Sequence, residues 1–523
     1  MTIDWRPDDE ASERPRLIVV TNRFSHAAHQ LERLLDDPDV IEATARYHCE
    51  RIDCDERPDV DVALQPFTGR AVPTWPLVAL TAPDRSPRRV ATHVTRRSLL
   101  DLLAAPLPLL APPLPLPPGP VGTVESALAA IAAAYDRHNG GFESPPKRPR
   151  PPLIELLLSL PPGRFGFDGL PLALRTLDAL AQGGIHDQLG GGFHLYSTDE
   201  RWVVPHFEKR AVDQAALLTT FARAAASTGQ TRYAAVARRT VAYIEYALAL
   251  EGGGYAASED ADVGAFDDGS HYTWTVEEAR VALDADELAV AQPYFDLYGR
   301  GELHSDPTRN VLFLAAPAEA VARELNREVA SVQQLAARAR DRLLAARGER
   351  PAPDVDKTPY AGVWAKMARA YLEAEAAVGV WRERERAILA LDRLYALRAE
   401  DGGIPHRLDR PQSLRWLADH AELGLAAARA YEATGERRHL DVARALADHL
   451  LAKFWHADGG FASTPGGAAR PFRDGDDGPG PSANAVAGTL LWTLATHTGD
   501  ARYADRARAL VAALLPRACG ATV

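Results

Sequence analysis

Thirty-two consecutive residues, Gly183 to Gln214, concentrate the side chains of this chain that are able to do chemistry. The run GGIHDQLGGGFHLYSTDERWVVPHFEKRAVDQ holds His186, Asp187, His194, Asp199, Glu200, Arg201, Trp202, His206, Glu208, Lys209 and Asp213 among its glycines. Imidazoles exchange protons near neutral pH, and carboxylates orient or polarise them. A Trp face stacks on a sugar ring or another flat ligand. The competing account is a polar network that only holds a loop in place.

A second cluster, Glu259-Asp260-Ala261-Asp262 with Asp267 and Asp268, is acidic. It lacks the twelve-residue calcium loop with its terminal Glu, so it reads as a solvated or cavity-facing acidic loop and no metal is expected. Asp474 to Gly478 reads as a turn. No P-loop, paired Rossmann glycines or G-x-S-x-G elbow occurs, and no cofactor is expected. Only five of the 59 basic residues are lysines: Lys147, Lys209, Lys357, Lys366 and Lys453. An ammonium differs from guanidinium in size, hydration and titration, so Lys209, Lys357 and Lys147, which fall in or beside glycine-rich motifs, stand out.

The chain has 523 residues, 46% hydrophobic and 25% charged, enough for about three domains or one large toroid plus a smaller unit. A net charge of −12 excludes a general nucleic-acid binder. No stretch reaches the roughly 20 apolar residues that cross a bilayer, and the start lacks an apolar signal core, so a cytoplasmic protein is expected. Three cysteines (Cys49, Cys54, Cys519) form neither a disulfide scaffold nor a zinc spacing.

Eight prolines in residues 106–120 mark an extended connector. Before it, residues 1–105 alternate apolar runs (17–20, 47–53, 77–80, 89–93) with helical patterns (25–35, 96–103), which predicts a small α/β domain. After it, residues 121–523 read as helix almost throughout. Gly-Gly-apolar signals at 140–142, 191–193, 253–255, 402–404 and 459–461 recur with helical stretches between them. A further unit is expected near Gly301 to Phe313. A repeat of 50–60 residues fits one helical hairpin, and about six of these predict an (α/α)₆ toroid, with an open solenoid as the rival.

The Gly183–Gln214 segment resembles the signature of the spermatogenesis-associated protein 20 family. It agrees at Gly183, Gly184, Asp187, Gly190 to Phe193, Tyr196, Ser197, Asp199, Trp202, Pro205 to Lys209 and Asp213. It departs at Arg210, Val212 and Gln214, where relatives have Met, Tyr and Asn. The resemblance continues through Ser258 to Asp262, Tyr272 to Trp274, Asp356-Lys357, Leu417 to Ala421 and Pro481 to Asn484. It implies a multidomain α/β plus all-α chain: a thioredoxin-like domain, then an (α/α)₆ toroid. In front, Asp53 to Asp61, Thr68 to Arg70 and Trp75 to Leu77 carry it, and it implies a cis Trp75-Pro76 bond. Ser25 and Ala28 stand where relatives have a cysteine pair, so no dithiol exchange is expected there.

The expected toroid in turn resembles those of N-acylglucosamine 2-epimerases, mannose isomerases and several glycosidases, and that likeness of fold implies carbohydrate processing of epimerase or isomerase type. In that reading His206 with His186 or His194 shuttles a proton, and Lys209 or Arg201 holds the developing oxyanion. A hydrolase would instead pair Glu208 with Asp213 or Asp260. Asp187, Arg201, Trp202, Glu259, Asp260, Asp262, Trp274, Asp356, Lys357, Asp419 and Asn484 are the expected ligand-binding residues. The alternative is a non-enzymatic scaffold or sensor that uses the front domain to bind a protein partner. A small sugar-like ligand is expected, and neither nucleic acid nor membrane.

Overall fold

The structure, a computed structural model, describes residues 2–8, 10–23, 26–69, 74–108, 123–264, 267, 269–379, 383–457, 459–466 and 480–518. Ser25, Arg70, most of the Pro-rich connector, Asp268, the Asp474–Gly478 turn and Cys519 lie outside these residues. The chain is helix-rich with a small sheet, and it divides into Met1–Pro117 and Pro118–Val523.

In the front unit, five strands order as β1-β3-β2-β4-β5: β1 (Trp5–Arg6), β2 (Arg16–Thr21), β3 (His48–Asp53), β4 (Leu77–Thr81) and β5 (Pro87–Thr92). β1 and β2 run parallel to β3, whereas β4 is antiparallel to both β2 and β5. β2 and β4 are buried along their whole length, as their unbroken apolar runs require of strands covered on both faces. Helices α1 (His26–Leu35), α2 (Pro38–Thr44), α3 (Pro58–Leu64) and α4 (Arg96–Ala104) complete it. The four expected strands are all present; the two-residue β1 and the short α2 and α3 were not legible. The Trp75-Pro76 peptide is cis. Ala28 is buried, and so are the side chains of Cys49 and Cys54. Burial pushes the Cys49 thiol up to about 11.

The back unit opens with α5 (Val124–Ala134), α6 (Pro151–Ser159) and α7 (Leu170–Gln182), followed by the two-residue strands β6 (Tyr196–Ser197), β7 (Pro205–His206) and β8 (Lys209–Arg210). Then come α8 (Ala211–Thr228), α9 (Thr231–Tyr243) and β9 (Ser258–Glu259). An excursion carries α10 (Val276–Ala282), α11 (Ala285–Phe295), α12 (Ala318–Glu324) and α13 (Val329–Gly348), and it returns through β10 (Val355–Asp356). The remaining helices are α14 (Ala361–Val378), α15 (Glu383–Ala396), α16 (Leu417–Thr434), α17 (Arg437–Lys453), α18 (Ala483–Thr498) and α19 (Ala501–Ala518). Helices α6, α8, α14, α16 and α18 pack side by side in one row. Each is backed by the helix that follows it in the row's order: α7, α9, α15, α17 and α19.

The repeat expected near Gly301 to Phe313 is not part of this row. β9 and β10 pair antiparallel, so the excursion leaves and rejoins at one point while α8 and α14 pack directly on each other. The other Gly-Gly-apolar signals do recur structurally. Each loop is tied to a following helix by one side chain. Thr176 Oγ1 accepts from Gly141 N (3.1 Å), Trp364 Nε1 donates to Tyr255 O (2.8 Å), and His420 Nε2 accepts from Ile404 N (3.1 Å). Two clamps are double: Gln214 on Phe193 (2.8 and 2.7 Å) and Asn484 on Phe461 (2.9 and 3.1 Å). Gly254 shows why the loops need glycine: its φ is +99°, and a Cβ would sit 2.2 Å from the Trp364 ring.

Candidate functional site

Side chains alternate between the faces of an extended chain, and that rule divides the chemistry-rich segment in two. β6 pairs β7 with Tyr196 opposite His206. β8 pairs β9, which pairs β10, placing Lys209, Glu259 and Val355 in one register and Arg210, Ser258 and Asp356 in the next. His206, Glu208 and Arg210 therefore share a face, joined by Asp260 and Asp356 from the neighbouring strands. Phe207, Lys209 and Glu259 point the other way.

The second face is closed. Asp187 accepts from Lys209 Nζ (2.8 Å), from Arg347 through both terminal nitrogens (3.0 and 2.9 Å), and from the N–H groups of Leu189 and Gly190. Burial alone would raise the Asp187 carboxyl; Arg347 and Lys209 outweigh it and hold the group well below the usual range. The Lys209 ammonium, 1% exposed, lies 4.2 Å from the Tyr243 ring centre and 4.8 Å from that of Tyr272. Tyr243 donates to Glu259 (2.7 Å). The void touching Asp187 and His194 is about 10 Å³, room for one water at most.

The two histidines expected to shuttle protons with His206 also lie in this closed region. His186 Nδ1 is 3.2 Å from Ala181 O, its ring packs on Phe193, and burial with Arg239 nearby pulls its pKa down to about 3. His194 Nδ1 is 2.7 Å from Phe207 O, and burial with Lys209 nearby pulls it well below the usual histidine value. Apolar neighbours Ile185, Leu189 and Phe193 anchor that part of the loop in the core. Lys209, expected to hold a ligand oxygen, is instead locked onto Asp187.

Other expected ligand contacts are placed elsewhere as well. Trp202 is wholly buried, donates to the carbonyls of Asn139 and Gly140, and stacks under Lys147. Trp274 is 1% exposed beneath Arg350 in the excursion. Arg201 and Lys357 are exposed, and Asn484 is the wholly buried clamp on Phe461. Gln214, which departs from the family's Asn, performs the same task on Phe193.

On the first face His206 keeps part of its ring exposed, while Glu208 and Asp260 are buried. His206 stacks on Tyr196 (5.1 Å, 18° between planes), and Arg148 lies 5.2 Å over the other ring's centre. His206 Nε2 stands 3.6 Å from Glu208 Oε2. Asp260 is pushed up to about 7, chiefly by burial and further by the charges of Asp262 and Glu208, against hydrogen bonds from the Asp262 and Ala261 backbone. Asp213, in the first turn of α8, pairs with Arg210 (2.8 and 3.3 Å). Asp356 accepts from Thr358 N and Oγ1.

On the next two helices of the row, Asp419 Oδ1 accepts from Gly362 N (2.9 Å) at the start of α14, and its other oxygen is 2.8 Å from His406 Nδ1. His406 was missed on sequence, although it follows a Gly-Gly-apolar signal by two residues. Lys366, one turn further along α14, was also passed over. Deeper along the same helices, Arg369 pairs with Glu373 and Glu422, and Glu373 also with Arg223 and Arg429. The arrangement can hold and move protons: two carboxylates and an imidazole on one surface, with cations beside them.

No model of a known protein family matches the chain. Among curated proteins, spermatogenesis-associated protein 20 of Homo sapiens is 28% identical over 604 residues, spanning 98% of this chain and 76% of that protein. The Mus musculus protein of the same name is 28% identical over 618 residues with the same coverage. An uncharacterized protein of Caenorhabditis elegans is 25% identical over 97% of this chain and 79% of its own length. Among solved structures, a cellobiose 2-epimerase from Bacillus thermoamylovorans is similar at a TM-score of 0.47 and 12% identity, covering 73% of this chain and 82% of that one. A GH76 α-mannanase from Bacteroides thetaiotaomicron is similar at 0.44 and 10%, covering 74% and 81%. Similarity to the named curated relatives covers nearly the whole chain, which resembles the spermatogenesis-associated protein 20 family.

Proposed function

We propose that the helical unit is a sugar-processing enzyme of epimerase or isomerase type, with Glu208 and Asp260 as its acid–base pair. The observation that carries this reading is the shared face of His206, Glu208 and Asp260, on which Asp260 titrates near 7. A proton carrier works best when its pKa lies near the operating pH. In this reading the row of hairpins, with α5 completing it, closes into an (α/α)₆ toroid whose lumen is lined by that face.

Glu208 removes the proton on the carbon beside a sugar carbonyl, while Asp260 gives its proton to the carbonyl oxygen, leaving an enediol. His206 exchanges the collected proton with Glu208. Its return to the opposite face of the same carbon gives the epimer; its return to the neighbouring carbon gives the isomer. Arg210 polarises the oxygen on which charge develops. We read the front unit as thioredoxin-like on its strand order. Without a cysteine pair it serves as a binding module, and a cavity of about 520 Å³ lined by Arg16, Arg57, Asp59, Phe67 and Arg85 is where it would take a partner's side chains.

The test is incubation of the full chain in D₂O with a panel of reducing mono- and disaccharides, followed by proton NMR. Wild type should exchange the proton on the carbon next to the carbonyl of at least one sugar, and Glu208→Gln should abolish it. Release of the aglycone from aryl glycosides, without exchange, would make the same two carboxylates a hydrolase. Neither reaction across the panel would favour the scaffold.

A further inference from the structure

Two cations of the helical unit have no hydrogen-bonded or ion-paired anion among the described residues. The Lys366 ammonium makes no hydrogen bond or ion pair among the described residues, although it projects from α14, which packs between α8 and α16. The carboxylates nearest it in charge terms, Glu422 and Asp213, are already engaged. Glu422 receives Arg369 on both oxygens (3.0 and 3.3 Å), and Asp213 receives Arg210 on both (2.8 and 3.3 Å). Gly480 approaches so closely that a Cβ there would lie 2.4 Å from Lys366 Nζ.

Arg148 is in the same position. Its guanidinium rests on the Tyr196 ring and makes no hydrogen bond or ion pair among the described residues; only its backbone N–H is bonded, to Glu143. Both cations feel the charges of the same Arg210–Asp213 pair at the start of α8, the helix that packs on α14. Both side chains are partly buried, and that burial pulls both below their ordinary pKa values. Withdrawing a cation from water is costly unless an anion joins it. A protein with five lysines among 59 basic residues has kept one here, with its ammonium close against Gly480.

We infer that the lumen takes an acidic sugar, a saccharide bearing a carboxylate or a phosphate, whose anionic group is held between Lys366 and Arg148. This rests on the acid–base reading above. It adds a polarity to the site: the anion sits at the cationic side, and the reacting carbons face Glu208 and Asp260.

The experiment is calorimetric titration of the full chain with glucuronate, glucose 6-phosphate and glucose, using wild type, Lys366→Met and Arg148→Gln. Circular dichroism melting checks that each variant is folded. One of the two anionic sugars should bind at least tenfold more tightly than glucose, and which one it is identifies carboxylate or phosphate as the recognised group. Lys366→Met should weaken that binding tenfold or more and leave glucose unchanged, with Arg148→Gln acting in the same direction. Glucose binding as tightly as both anions, no binding of either anion, or unchanged anion affinity in both variants would overturn the inference. Turnover of neutral sugars that Lys366→Met leaves intact would remove the anion site and spare the acid–base reading. Anion binding lost in Lys366→Met, with no exchange or hydrolysis of any sugar, would do the reverse.

Discussion

Replacing Asp260 by asparagine should make the helical unit more stable, and only at neutral to alkaline pH. The folded carboxyl titrates near 7, above the roughly 4 of an unfolded aspartate. Between those values the folded state binds more protons than the unfolded state, so this group's contribution to stability falls as pH rises through the window. The gap of about three pH units, at about 1.4 kcal/mol per unit, sets a ceiling of about 4 kcal/mol. Because the Asp260 side chain keeps some contact with solvent, about half of that is expected, about 2 kcal/mol. For a unit as large as Pro118–Val523 this is about 2 °C in Tm. Asparagine stays neutral at every pH, so melting both proteins between pH 4 and 8 isolates the term. The difference should vanish near pH 4 and grow to about 2 °C in favour of Asp260→Asn by pH 8. A difference that does not change with pH would refute the raised carboxyl and the reasoning built on it.

Lys209→Met should destabilise by about 3 kcal/mol, because it strips one cation from a buried carboxylate that keeps the other, and an unchanged Tm would sink the closed-cluster description. Asn484→Leu removes both hydrogen bonds to Phe461 in a wholly buried site and should cost about 2 kcal/mol by denaturant titration; a neutral result would mean the clamp does not hold the loop. The front unit should show no turnover in insulin reduction with a thioredoxin reductase system, since the Cys49 thiol is buried and pushed up to about 11, and activity lost in Cys49→Ser would contradict this.

The apolar runs of β2 and β4 and the glycine-bounded helical repeats were legible because burial and helix termination act locally. The split within PHFEK was also present in the sequence, since alternation alone separates His206, Glu208 and Arg210 from Phe207 and Lys209. A glycine-rich segment gives no periodic signal to mark it as extended, so chemistry was assigned by residue type and the buried His186, His194 and Lys209 were grouped with His206 and Glu208. Whether a histidine faces solvent or core depends on what packs over it from α9 and the excursion, information that is nonlocal. Lys366 had no motif around it; its signal was its rarity, and its significance lies in neighbours from α8, α16 and the residue before Pro481. The excursion was misread as a repeat because the β9–β10 pairing that closes it joins strands almost a hundred residues apart.

The most direct test of the acid–base account is the pH dependence of deuterium exchange into the responsive sugar, measured for wild type and Asp260→Asn. If Asp260 is the proton donor, wild-type exchange falls as pH rises above about 7, and Asp260→Asn is slower by about a hundredfold or more with that limb gone. Equal rates for the two proteins, or the same alkaline limb retained in Asp260→Asn, would contradict it.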